Sequence, residues 1–195
     1  MALTPSTMLE LGTVAPTFRL INAVDGQPVA LDDVAGPRGL LVMFICNHCP
    51  YVVHIRQELI RVAHQALDRG IGVVAINANS QESHPQDGPP QMKELARTEG
   101  WRFPFLFDDT QEVAKAYRAA CTPDLFLFDK DRRLYYRGQF DGSRPGNQVP
   151  VTGGDLSAAM EQMLAARPAP SKQRPSMGCN IKWKPGSAPA YFGAG

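Results

Sequence analysis

The sequence predicts an α/β fold, in which a mixed central sheet lies between layers of helix, with an N-terminal β-hairpin extension and an irregular C-terminal tail. Three observations predict it. Two short apolar runs, 39–45 and 71–77, enclose an amphipathic stretch at 50–69. Runs of that kind read as buried strands, and strand–helix–strand in this order reads as a parallel βαβ unit. Downstream, Leu125 to Asp129 and Arg133 to Gly138 face each other across Lys130-Asp131, an antiparallel hairpin. A last amphipathic segment starts at Gly153-Gly154-Asp155 and runs to about Ala166.

Taken in order, Phe18 to Ile21 reads as a strand, Asp25-Gly26 as a turn and Gln27 to Leu31 as the second arm of a hairpin. Asp32 to Pro37 is a turn-rich connection. Helix 50–69 opens on Pro50, whose missing N–H costs nothing in a first turn, and closes at Gly70. Asn79 to Pro90 is a polar, proline-rich loop, followed by a short helix from Gln91 to Glu99. Phe103 to Asp108 carries Pro104 and is expected at a sheet edge. Thr110 to Ala120 is expected to be helical, capped by Asp109 or Thr110. The organisation is one domain over 1–166 and a Pro/Gly-rich tail over 167–195 docked on it.

Composition narrows the function. The chain has 195 residues, 44% of them hydrophobic, a net charge of +1 and a pI near 7.7. That balance offers no field for nucleic acid or an anionic membrane surface. No stretch approaches the ~18 apolar residues of a membrane span. Residues 1–12 hold no Lys or Arg and do not read as a secretory signal. Four cysteines are too few for a disulfide scaffold, so a reducing compartment, the cytosol, is expected.

Cys46-Asn47-His48-Cys49 carries the chemistry. It sits where the first apolar run meets the helix. The unpaired N–H groups of a helix N-terminus favour thiolate over thiol, and thiolate is the nucleophile of disulfide exchange. A C-x-x-C at this place reads as a redox dithiol. His48 is placed to tune it, since a neighbouring cation stabilises thiolate. Structural zinc takes four ligands, usually from two such pairs, and there is one. Copper(I) on the soft thiolates with His48 is the metal-chaperone alternative.

Three segments carry a resemblance: Leu11-Gly12-Thr13-Val14-Ala15-Pro16-Thr17-Phe18, Phe44-Ile45-Cys46-Asn47-His48-Cys49-Pro50-Tyr51-Val52, and Cys121-Thr122-Pro123-Asp124-Leu125-Phe126-Leu127-Phe128-Asp129. On these, with Gly178-Cys179-Asn180-Ile181-Lys182-Trp183-Lys184 in the tail, the chain resembles the thioredoxin-fold superfamily. More narrowly, it resembles the peroxiredoxin-like branch of the alkyl hydroperoxide reductase and thiol-specific antioxidant (AhpC/TSA) group. The resemblance implies a thioredoxin fold with Cys46 attacking and Cys49 resolving. It implies a cis peptide at Pro123 and a Thr122 backbone presented to an incoming peptide or mixed disulfide. The chain departs from the pattern too. Gly39 and Met43 stand where peroxiredoxins place Pro and Thr, and Cys121-Thr122-Pro123 stands where they place an arginine. No Asp or Glu lies between Gly39 and Tyr51, so thioredoxin's buried acid has no evident counterpart.

The expected activity is therefore thiol–disulfide oxidoreduction by Cys46 and Cys49, with no metal or organic cofactor. Its partners are a protein or small-molecule disulfide and an external thiol donor. The alternative within the same chemistry is a thiol peroxidase. Cys121 and Cys179 are candidate additional redox thiols. Cys121 abuts Thr122-Pro123, and Trp183 is expected to dock the tail, bringing Cys179 against Cys121 or over the C-x-x-C. His54 and His64 are expected to be surface or packing residues, Asp108-Asp109 a helix cap, and Arg132-Arg133 and Lys182-Trp183-Lys184 solvated surface.

Overall fold

A computed structural model describes residues 3–192; the first two residues of the domain and the last three of the tail lie outside the described range. The elements are β1 (Leu3–Pro5), β2 (Arg19–Asn22), β3 (Pro28–Ala30), α1 (Leu31–Val34), β4 (Gly39–Phe44), α2 (Pro50–Asp68), β5 (Ile71–Asn77) and α3 (Pro89–Thr98). They continue with β6 (Phe105–Phe107), α4 (Glu112–Ala116), β7 (Cys121–Thr122), β8 (Asp124–Phe128), β9 (Leu134–Arg137), α5 (Gly154–Leu164) and β10 (Met177–Asn180). A seven-stranded mixed sheet runs β3-β2-β6-β5-β4-β8-β9, and a small second sheet runs β1-β10-β7.

Alternation along β4 builds the layers. Every residue of this central strand is buried. Leu41 and Met43 face one core with Val52, Leu59, Met92, Leu156 and Met160, from α2, α3 and α5. Leu40, Val42 and Phe44 face the other, with Leu31, Val113, Tyr117 and Phe126. Truncating a buried side chain of this kind, such as Leu41→Ala, costs about 2–5 kcal/mol. The parallel β4–β5 pairing, Leu41 opposite Val73, matches the expected βαβ unit, and α2 ends before Gly70, which takes φ +79°.

Several expectations need correction. The strand at 105–107 lies inside the sheet, between β5 and β2. Pro104 stands one residue before it, so its missing N–H removes no ladder bond, while its carbonyl accepts from Ala75. The edge falls to the hairpin's β3 instead. The connection at 32–37 begins with the helical turn α1. The proposed loop at 79–90 contains a 3₁₀ turn, Pro85–Asp87, and the first residues of α3. The helix expected over 110–120 is only α4, because Arg118 takes φ +52° and Ala119 bonds back to Ala114. Its start is held by two of the residues expected to cap it: the Asp108 carboxylate accepts from Ala114 N–H at 2.8 Å and the Thr110 hydroxyl from Glu112 N–H at 3.4 Å, around Gln111 at the N-cap position.

The largest departure is the tail. It is not irregular throughout, because β10 is its central piece. That strand pairs antiparallel with β1, Leu3 opposite Cys179, and with β7, Thr122 opposite Cys179. Gln173 and Ser176 tie the approach to β9 and Gly138. Beyond β10, Lys182 N–H donates to Asn79 Oδ1 at 2.9 Å, and the buried Gln111 bonds Lys182 and Lys184. Trp183 packs on the second core with its ring against Tyr191.

Candidate active site

The fold brings Cys46, Cys49, Thr122 and Cys179 to one place at the carboxyl end of β4, the end where α/β sheets build sites. Cys46 lies just past the strand, after Ile45 N–H has closed onto Ile76 O. Cys49 is the residue that precedes the first turn of α2, and its carbonyl accepts the Val52 and Val53 N–H groups, both at 2.9 Å. Both cysteines are buried free thiols.

Thr122 touches both sulfurs. Its hydroxyl stands 3.5 Å from Cys46 Sγ, and its carbonyl oxygen 3.2 Å from Cys49 Sγ. The Thr122–Pro123 peptide is cis. The expected role for the Thr122 backbone, pairing with an incoming peptide, is corrected by β10, which already occupies that edge. Gly178 allows the approach, since a Cβ there would stand 2.0 Å from the Thr122 carbonyl oxygen.

The two sulfurs titrate as one system. Hydrogen bonding to Cys46, then to Thr122 and Cys179, pulls Cys49 down to about 4 against the cost of its burial. Cys46 is pushed up, first by the same bond to Cys49, then by burial and by the Asp87 carboxylate. The two directions oppose each other, so the reduced pair favours one thiolate and one thiol that share a proton. The thiolate expected on Cys46 is favoured by the Thr122 hydroxyl at 3.5 Å and opposed by the Asp87 carboxylate. Hydrogen bonding from Cys46 favours the thiolate on Cys49. The Thr122 carbonyl favours the opposite arrangement, accepting from Cys49 only while Cys49 carries the proton. The shared proton therefore moves between two supported positions.

Asp87 is the residue that sequence reasoning missed. It is fully buried, delivered by the 3₁₀ turn. Oδ1 accepts the Asn47 and His48 N–H groups at 2.9 and 3.3 Å, and Oδ2 accepts from Asn79 Nδ2 at 2.8 Å and His48 Nδ1 at 2.6 Å. His48 is thus oriented by Asp87, with Nδ1 a longer 4.0 Å from Cys46 Sγ, and His84 stacks on its ring. No spacing in the sequence marks Asp87; the signal available was an acid inside a proline-punctuated loop.

Among the described residues, ligand atoms of Cys46, His48 and Asp87 lie within 4.8 Å of one another. The Asp87 oxygens already accept four protein hydrogen bonds, and a metal there would have to displace the His48 bond.

Cys179, in β10, is buried and stands opposite Thr122, whose carbonyl oxygen lies 3.2 Å from Cys49 Sγ. Burial, then the neighbouring Cys49 sulfur, raises it to about 11. Cys121 is fully buried and its thiol reaches the Pro123 carbonyl at 3.5 Å. Successive residues of a strand face opposite ways, so it points away from the sulfurs that Thr122 meets. His54 bonds Ser143, His64 accepts from Arg102 N–H, and Asp109 pairs with Lys184, all away from this cluster.

Residues 11–137 match the model of the AhpC/TSA family. A crystal structure of an uncharacterized conserved protein from Geobacillus kaustophilus is similar at TM-score 0.92 and 51% identity, over 95% of this chain and 98% of that one. The thiol-disulfide oxidoreductase ResA of Geobacillus thermodenitrificans is 25% identical over 136 residues, 67% of this chain and 70% of that protein. At the level of fold, a thioredoxin family thiol:disulfide interchange protein from Chlorobium tepidum TLS superposes at TM-score 0.59 and 18% identity, over 78% of this chain and 97% of that one.

Proposed function

The chain belongs to the AhpC/TSA family, and from that premise we propose that it is a thiol–disulfide oxidoreductase working through Cys46 and Cys49. The observation that carries the reading is the geometry of two buried free thiols, both in contact with Thr122 beside a cis-proline. The likeness to ResA supports it.

The cycle runs on that shared proton. It passes from Cys46 to Cys49, where the thiol donates to the Thr122 carbonyl, and Cys46 becomes the thiolate beside the Thr122 hydroxyl. Cys46 attacks the substrate disulfide, and one substrate thiol leaves with a proton from solvent. Cys49, deprotonated, then attacks Cys46 Sγ. The second substrate thiol leaves, and Cys46–Cys49 is oxidised. An external dithiol restores the pair by the reverse steps, so direction follows redox poise. His48 and Asp87 shape the turn that holds Cys46. The tail, 167–195, completes the site of domain 1–166. No helix among the described residues is long and apolar enough to cross a membrane. On the four cysteines, all free thiols, we place the cycle in a reducing compartment, the cytosol.

The peroxidase alternative has less support in the geometry. Met43 is a core residue, and the hydroxyl beside Cys46 comes from Thr122. The guanidinium near this turn, Arg56, reaches the Asn47 carbonyl. Trapping tests the main reading. With oxidised glutathione, Cys49→Ser should accumulate a mixed disulfide on Cys46 that wild type clears. An unmodified Cys46 in that variant contradicts the proposal.

A further inference from the structure

The tail places a third thiol against the pair, and it does so rigidly. Cys179 lies in the middle strand of the small sheet, with Leu3 opposite on one side and Thr122 on the other. Behind it, Asn79 and Gln111 hold Lys182 through part-buried hydrogen bonds. Gly178 lies so close to the Thr122 carbonyl that any side chain there would collide. Within this frame Cys179 stands opposite Thr122, whose carbonyl oxygen lies 3.2 Å from Cys49 Sγ, and all three residues are buried together. The segment thus occupies the backbone edge beside the cis-proline, with its cysteine where an incoming sulfur would stand.

We propose that Cys179 is a third redox thiol, which takes over the disulfide from the C-x-x-C by attacking Cys49. The inference rests on the Cys46–Cys49 cycle proposed above. In the step, the Cys179 sulfur attacks Cys49 Sγ of the Cys46–Cys49 disulfide. The Cys49–Cys179 bond forms and the Cys46–Cys49 bond breaks. Cys46 leaves with the electron pair and takes up the proton that Cys179 loses. No outside oxidant or reductant is needed, because one disulfide replaces another.

The electrostatics give the step an order. In the reduced site the Cys49 charge opposes ionisation of Cys179. Burial opposes it more and persists, but once Cys49 is in a disulfide the part due to Cys49 is gone, so oxidation of the pair lowers the barrier to ionising Cys179. Cys46, disfavoured as a thiolate by Asp87 and by burial, is a good acceptor for the released proton. The outcome is a freed Cys46 thiol, able to meet another partner, and a tail tied covalently to α2. Cys121 has no part in the exchange.

Disulfide mapping tests this. Wild-type protein is oxidised in glutathione buffers, quenched in acid, alkylated, digested and mapped by mass spectrometry. The Cys49–Cys179 peptide should hold roughly a tenth or more of the disulfide-bonded Cys49, within tenfold of the Cys46–Cys49 form. A smaller share, with Cys179 alkylated, overturns the relay while leaving the Cys46–Cys49 cycle intact. If neither disulfide forms, relay and cycle fall together. The Cys46→Ser variant adds a second arm. Oxidised glutathione should convert it to the Cys49–Cys179 form, whereas a lasting glutathione adduct on Cys49 overturns the proposal.

Discussion

His48 donates its Nδ1–H to Oδ2 of Asp87 at 2.6 Å, although the two residues come from turns 39 positions apart. The same carboxylate accepts the backbone N–H groups of Asn47 and His48, so it shapes the inside of the C-x-x-C. It also opposes a thiolate on Cys46. Asp87→Asn should lower the Cys46 pKa, stabilise the reduced pair and raise its reduction potential by roughly 30 mV, a tenfold change in equilibrium. The mutant should also lose about 2 kcal/mol or more of stability, because charge-assisted bonds in a buried site are broken. A lower or unchanged potential contradicts the role given to Asp87.

One shared charge has a signature in pH. If the reduced pair carries one thiolate and one thiol, reduction takes up two electrons and one proton. The potential should then fall by about 30 mV per pH unit between pH 5 and 8. A slope near 59 mV per unit means that both sulfurs are protonated when reduced, contrary to the lowered Cys49.

Gly178→Ala tests the attachment of the tail. A Cβ there would stand 2.0 Å from the Thr122 carbonyl oxygen and 2.7 Å from its carbon, and neither backbone atom can move aside cheaply. The variant should lose on the order of 2 kcal/mol and release β10. Cys179, buried in the wild type, should then react with alkylating agents at least tenfold faster under native conditions. Unchanged protection of Cys179 contradicts the pairing.

Asp124, directly after the cis-proline, is fully buried and raised to about 7, chiefly by desolvation. Its Oδ2 accepts from Ala120 N–H, but Oδ1 is buried without a hydrogen-bond partner. Because the folded value lies above the unfolded one of ~3.9, the associated stability is complete below that pH and is lost as pH rises through about 7. Wild type should lose on the order of 3 kcal/mol from this group between pH 4 and 8, and Asp124→Asn should flatten that decline in urea unfolding. A wild-type profile as flat as the mutant's contradicts the assignment.

What the sequence made legible follows from local rules. The runs at 39–45 and 71–76 are apolar throughout because β4 and β5 are covered on both faces, and Pro50 and Gly70 mark the ends of α2 by backbone chemistry alone. Cys46 and Cys49 needed only their place between strand and helix. Thr122-Pro123 became visible through family resemblance. Asp87 did not, because its role exists only once a 3₁₀ turn folds onto a site formed by another segment. Met177-Gly178-Cys179-Asn180 has no strand alternation, and it becomes a strand because β1 and β7 offer it backbone partners on both sides. Phe105–Phe107 was taken for an edge because Pro104 was read as part of the strand, when it stands just outside.

The most direct test of the account is the reduction potential of Cys46–Cys49, measured by equilibrating the protein in graded glutathione or dithiothreitol buffers and counting alkylated thiols by mass spectrometry. The account predicts a reversible two-electron couple between about −120 and −300 mV, in the range of known dithiol oxidoreductases. If both thiols stay reduced in every buffer, or are shielded by a bound metal, Cys46 and Cys49 are not a redox pair, and the central claim is wrong.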